Sequence, residues 1–113
     1  MHELSLVMAL IDQVGEICRQ EQAERLLRIE LVVGALSGVE RDPLEFCFSI
    51  AAEGTVAAGA TLVVEEVPVT VACRACGERT APELPMIHCQ ACQSQDTEIV
   101  AGRDFFIKAI EVM

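Results

Sequence analysis

An α+β domain carrying an inserted four-cysteine module is the architecture that this sequence predicts, and three observations predict it. Two stretches with apolar residues at helical spacing alternate with three stretches of strand character. Between the second and third of those strands lies a segment, residues 68–102, that is poor in large apolar side chains and has no Phe, Trp or Tyr. That segment contains Cys73-Arg74-Ala75-Cys76 and, twelve residues on, Cys89-Gln90-Ala91-Cys92. The expected organisation is a small sheet of about three strands with two helices, built from residues 1–67 and 103–113, and a zinc-ribbon-like module at 68–102.

The first helix is predicted from Leu4 to about Gln20. Leu4, Val7, Ile11, Val14 and Cys18 recur at three- and four-residue steps, with Leu10 and Ile17 beside them, while Asp12, Gln13, Glu16 and Arg19 take the other side. A strand follows over Arg25–Ala35, where Leu27, Ile29, Leu31 and Val33 alternate with Arg28, Glu30 and Val32. The second helix is expected to start at Asp42 as N-cap, with Pro43 in the first helical position and Glu45 closing a capping box. Leu44, Cys47, Phe48 and Ala51 form its apolar face, and Gly54 is placed to cap its end. Ala60–Val67 reads as a second strand ending at Pro68, and Asp104–Met113 as a third that returns to the same sheet. Cys18 and Cys47 lie in the apolar stripes and read as packing groups.

Composition narrows the function. At 113 residues the chain is one domain, or a small domain plus a module. A net charge of −10 opposes binding to nucleic acid, which relies on basic side chains neutralising phosphates. Proteins and metal cations are better partners, although acidity also serves simply to keep a small protein soluble. No apolar run approaches the ~20 residues that span a bilayer. The N-terminus has no basic signal region, so a soluble, cytoplasmic protein with reduced thiols is expected.

Reduced thiols in paired Cys-x-x-Cys spacing suit one tetrahedral centre, and zinc is the ion that soft thiolates of this number select. Four cysteines leave no open coordination position, so the zinc is expected to be structural. Two disulfides, or a redox-active Cys-x-x-Cys, fit less well because one needs an oxidising compartment and the other leaves the second pair unexplained. His88, next to Cys89, reads as a local structural residue rather than a fifth ligand.

Met1-His2-Glu3 offers a second metal chemistry. A free α-amino group titrates at about 7.7–8.0 and can bind a metal near neutral pH. With backbone nitrogens and the His2 imidazole it can form a planar set of nitrogen donors, which Ni(II) and Cu(II) favour and zinc does not. On these residues alone, a frayed end leading into the helix is the plainer explanation. No nucleotide-binding loop, H-E-x-x-H or G-x-S-x-G motif occurs, and no acid–base constellation for an enzyme is visible.

Taken together, Met1-His2-Glu3-Leu4-Ser5, Val33-Gly34, Leu36-Ser37-Gly38-Val39-Glu40, Glu53-Gly54-Thr55, Gly59-Ala60 and the two cysteine pairs resemble the HypA/HybF family of hydrogenase maturation nickel metallochaperones. The resemblance runs nearly the whole length. It implies a non-enzymatic carrier that delivers nickel (Ni2+) to the large subunit of NiFe-hydrogenase, working with a separate GTPase, as a monomer or weak homodimer. It implies His2 as principal nickel ligand, helped by the Met1 amine and Glu3, and Cys73, Cys76, Cys89 and Cys92 as ligands of a structural zinc (Zn2+). Some relatives also serve urease. One departure stands out: Gly77 follows the first pair but Gln93 follows the second, so a different turn is expected there. The rival function is a zinc-ribbon adaptor that recruits a protein and handles no nickel.

Overall fold

The computed structural model describes residues 2–113, with side chains from Glu3 onward. Its elements are α1 (His2–Gln20), β1 (Leu26–Gly34), α2 (Arg41–Ala51), β2 (Thr61–Val67), β3 (Thr70–Cys73), β4 (Arg79–Thr80), β5 (Thr97–Ala101) and β6 (Phe105–Val112). Two three-stranded sheets result, in the orders β2-β1-β6 and β4-β3-β5. The first mixes a parallel β1–β2 pair with an antiparallel β1–β6 pair. The second is antiparallel throughout. The molecule is elongated, 53 × 27 × 17 Å. Among the described residues no helix is long and apolar enough to cross a membrane.

Both helices lie on one face of the first sheet. Val7, Leu10, Ile11, Val14 and Cys18 of α1 meet Leu44 and Phe48 of α2 over Leu26, Ile29, Leu31 and Val33 of β1. Cys18 is fully buried and Cys47 packs at the margin of this core, as their positions in the apolar stripes predict. Leu4 departs from the prediction: at 37% exposed it stands out of the core, because it lies at the edge of the buried stripe, on the same flank of α1 as exposed Met8. In β1 the alternation slips at its start, so that Leu26 is buried and Leu27 is only half-buried. The cause is an irregularity in the pairing with β6 between Leu26 and Arg28, since one extra residue reverses the faces of a strand.

The helix ends also differ from the sequence reading. α2 begins at Arg41, and the residue at its N-cap is Glu40, which makes no side-chain cap bond. Glu45 is not part of a capping box; its carboxylate accepts a hydrogen bond from Arg41 Nε at 2.7 Å. Pro43 is tolerated because first-turn N–H groups have no intrahelical partner. Ala52 caps the C-terminus, and Gly54 turns the chain two residues later with φ +75°. α1 closes through a motif that local propensity hides. Gln22 adopts φ +56°, its N–H bonds to Arg19 O at 3.2 Å, and Ala23 N–H bonds to Cys18 O at 2.8 Å. This is a Schellman closure with glutamine where glycine is usual.

Backbone packing joins the two sheets. Gly34 N–H bonds to Asp104 O, Ala35 N–H to Val67 O and Leu36 N–H to Gly102 O, at 2.7, 2.9 and 2.7 Å. A Cβ on Gly34 would lie 2.3 Å from Gly102 O, and one on Gly102 would lie 2.8 Å from Val69 Cα. Both glycines are therefore demanded by the crossing of main chains where residues 68–69 leave the first sheet and residues 102–104 re-enter it.

Candidate metal centre

The cysteine segment has little else to organise it. From Val69 to Ala101 the buried apolar side chains are Val69, Val71, Cys73, Pro82 and Cys89, and none belongs to the core cluster under the helices. β3 ends at Cys73 and leads directly into the first Cys-x-x-Cys turn; the second follows the long loop after β4. The loops return the two turns to one point, where one ligand atom from each of Cys73, Cys76, Cys89 and Cys92 lies within 4.8 Å of all the others.

The two turns are copies of each other. Cys73 Sγ accepts hydrogen bonds from the N–H groups of Ala75 and Cys76 at 3.3 and 3.4 Å. Cys89 Sγ accepts from Ala91 and Cys92 at 3.3 and 3.5 Å. Gly77 N–H then bonds to Cys73 O at 3.0 Å, and Gln93 N–H to Cys89 O at 2.8 Å. Gly77 and Gln93 have φ of +80° and +69°, so the expected difference at the second turn is absent. The sulfur geometry of the pair fixes the turn, and glutamine is forced into the left-handed region that glycine enters freely. Gln93→Gly is accordingly expected to stabilise the metal-loaded module by about 0.5–1 kcal/mol, read as a higher denaturation midpoint with unchanged metal content.

Across the pairs, Cys73 Sγ and Cys92 Sγ are 3.6 Å apart, as are Cys76 Sγ and Cys89 Sγ. Four thiolates at about 2.3 Å from a tetrahedral zinc stand about 3.8 Å from one another, close to these edges. The donor set therefore fits such an ion. Each pair supplies one buried sulfur, Cys73 or Cys89, and one exposed sulfur, Cys76 or Cys92.

Hydrogen bonding makes the buried thiols the acidic ones. Cys73 is lowered to about 6, chiefly by the Cys76 N–H and against burial, with help from the Ala75 N–H and the Cys92 and Cys76 side chains. Cys89 is lowered by the corresponding Cys92 N–H, again against burial. Cys76 moves the other way, up to about 12. The Glu78 N–H draws it down, but burial and the adjoining Cys89, Cys92 and Cys73 sulfurs outweigh that bond. Cys92 is raised as well: the Ser94 N–H is outweighed by the Cys73 sulfur, burial and Cys89. An incoming ion must displace the protons that the raised Cys76 and Cys92 thiols hold more tightly. His88 is half-buried and stands outside the four-sulfur group.

At the other end, α1 begins at His2. Met1 and the His2 side chain, two of the three expected nickel ligands, lie outside the described residues. Glu3 is half-buried in the first turn of α1, and its Oε2 accepts a hydrogen bond from Glu40 N–H at 3.4 Å. Its carboxylate thus serves the start of α2, where Glu40 has no cap of its own. The fold brings two acidic residues, 37 positions apart, to the N-terminal turn. Glu40 stands in the stretch that carries the family resemblance, but nothing in its local sequence pointed to Glu3. The apolar cleft between the two sheets, about 350 Å³, is lined by residues such as Val32, Val100 and Phe106 and contains none of the expected ligands.

Comparison with known proteins agrees with this geometry. A family profile described as "Hydrogenase/urease nickel incorporation, metallochaperone, hypA" matches residues 1–112. The chain is 41% identical over 112 residues to the hydrogenase maturation factor HypA of Chlorobium limicola, covering 99% of this chain and 97% of that one. It is 43% identical over 112 residues to the corresponding factor of Chlorobium phaeobacteroides, covering 99% of both. Among solved structures it superposes on a HypA protein in solution with TM-score 0.73 at 25% identity, covering 100% of this chain and 97% of that one. The fold is also that of the nickel metallochaperone HypA from Helicobacter pylori, with TM-score 0.65 at 22% identity over 98% of this chain and 97% of that one. With this fold, this cysteine centre and relatives matched from end to end, the chain belongs to the HypA family, the metallochaperones of hydrogenase and urease nickel incorporation.

Proposed function

We propose that this metallochaperone binds nickel at its N-terminus and hands it to the large subunit of NiFe-hydrogenase in the cytoplasm, with a partner GTPase supplying or regulating the metal. Family membership carries this reading; the placement of the N-terminal turn supports it. His2 is the principal ligand, with the Met1 amine and Glu3 beside it. The first-turn N–H groups of a helix lack intrahelical acceptors, so a metal can recruit nitrogens there without breaking a helix hydrogen bond. A site at the chain end can also be reached by a partner's ligands without unfolding the carrier, so transfer proceeds by ligand exchange.

In the same reading residues 1–67 and 103–113 form the nickel-binding domain, and residues 68–102 form a module closed by zinc on Cys73, Cys76, Cys89 and Cys92. Four thiolates in a tetrahedron favour zinc over nickel, which prefers a planar set of nitrogens. When bound, the zinc supplies folding free energy; the thiolates hold it and leave no position open for chemistry. Transfer is tested by loading the zinc-bound chain with radioactive nickel and mixing it with metal-free hydrogenase large subunit. The expected result is movement of the label to the large subunit, accelerated by the GTPase. Label that stays on the chain, or that leaves equally fast for a chelator and for the large subunit, refutes delivery.

A further inference from the structure

Four large apolar side chains project from the helix layer. Leu4 and Met8 of α1 are 37% and 55% exposed, and Phe46 and Ile50 of α2 are 66% and 53% exposed. Each pair is spaced four residues apart, so each makes one stripe along its helix. The helices pack against each other. α1 presents Leu6, Leu10 and Gln13 toward Phe105 and Ile107 of β6, which leaves Leu4 and Met8 on the opposite flank. α2 presents Glu45, Ser49 and Ala52 toward the chain leading into β2, which leaves Phe46 and Ile50 away from that strand. The two stripes therefore border the α1–α2 seam on its exposed side, and Cys47 and Ala51 pack, partly buried, against the core.

Charge decides what can cover the seam. Glu3 and Glu40 meet at its N-terminal end. Asp12 follows Met8 by one turn on the same flank of α1. The basic residues of the two helices are already engaged, Arg19 by Glu16 and Arg41 by Glu45. A second copy of a chain with net charge −10 would set like charges against one another around the patch. A basic partner would not. Two helices side by side with apolar flanks form the groove into which a third helix packs, anchored at positions i, i+4 and i+7.

We propose that the α1–α2 seam docks an amphipathic helix of a partner protein, apolar along one stripe and lysine- or arginine-rich along its margins. Met8 lends the groove an unbranched side chain that adjusts to the anchor it meets. A helix in this groove runs beside Glu3 and so holds its protein next to the N-terminal metal site; that consequence rests on the function proposed above, whereas docking itself does not.

The test uses the zinc-loaded full chain and a fluorescent fourteen-residue helical peptide of leucine and lysine with one leucine stripe, followed by anisotropy. The Phe46→Ala/Ile50→Ala variant is expected to bind about 10- to 100-fold more weakly, while Leu84→Ala/Met86→Ala, which trims the exposed apolar loop of the cysteine module, binds like the parent. Circular dichroism checks that both variants keep the fold. A peptide with serine in place of leucine, at equal charge, is expected not to bind. Equal affinity for the seam variant, equal weakening by both variants, or undiminished binding of the serine peptide overturns the proposal. A dimer in sedimentation equilibrium that the seam variant dissociates also overturns it, by assigning the groove to a second copy. No nickel is present, so failure of the N-terminal site would leave this result untouched.

Discussion

Replacing Cys89 by serine is expected to strip zinc from the chain and unfold the β4-β3-β5 sheet while α1, α2 and the β2-β1-β6 sheet stay folded. Cys89 is fully buried, and its sulfur is within 3.6 Å of Cys76 Sγ. Serine is close in size, so the effect reports the lost thiolate rather than a cavity. The module's apolar burial reduces to Val69, Val71 and Pro82 once the thiols are set aside, far below what a free-standing segment of this length needs. Zinc binding in comparable small motifs contributes about 10–16 kcal/mol apparent at neutral pH, so its loss exceeds any stability the module has without it. The first sheet, by contrast, is covered by a core to which no residue of β3, β4 or β5 belongs. Zinc content and amide exchange read by mass spectrometry would test this. Amides of residues 70–73 and 97–101 should exchange freely in the variant, with Ile29–Val33 still protected. Retained protection in the zinc-free chain would mean that the module folds on contacts alone, and the metal's role would have to be reassigned.

Nickel binding should respond just as sharply to changes at the N-terminus. Adding Gly-Ser before Met1, or replacing His2 by alanine, is expected to weaken nickel binding by more than about 100-fold, because ligand loss costs more than the roughly 10–100-fold that supporting partners cost. Glu3→Gln keeps an oxygen acceptor for Glu40 N–H and removes the charge, so a smaller loss is expected, with α2 intact. Calorimetric titration of the zinc-loaded protein gives all three affinities. Acidification should lower the parent's affinity, since both the amine and the imidazole must shed protons to bind a metal. If the extended protein takes up nickel like the parent, the metal is held elsewhere, and the thiolates become the first place to look.

Much of this protein is legible in its residues. Periodicity places both helices and the three strands of the main sheet, because a stripe of Val7, Leu10, Ile11, Val14 and Cys18 or an alternation through Ile29, Leu31 and Val33 can be buried in one way only. The spacing of Cys73, Cys76, Cys89 and Cys92 identifies a single four-sulfur group, since each Cys-x-x-Cys is a short local turn that dictates its own geometry.

Other features belong to the tertiary structure. α2 starts at Arg41 rather than behind an Asp42 cap, because the first-turn proline needs no donor and the N–H of Glu40 finds Glu3 instead. Leu26 replaces Leu27 in the core through an irregularity that exists only once β6 pairs with β1. Gln93 repeats the turn of Gly77 because four sulfurs must meet, a demand stronger than the backbone preference of one glutamine. Local pattern thus determined which segments fold and which side chains form the cysteine centre. The meeting of Glu3 with Glu40, the glycine-locked crossing at Gly34 and Gly102 and the apolar seam between the helices were decided only by the packed chain, because each depends on residues that sequence keeps far apart.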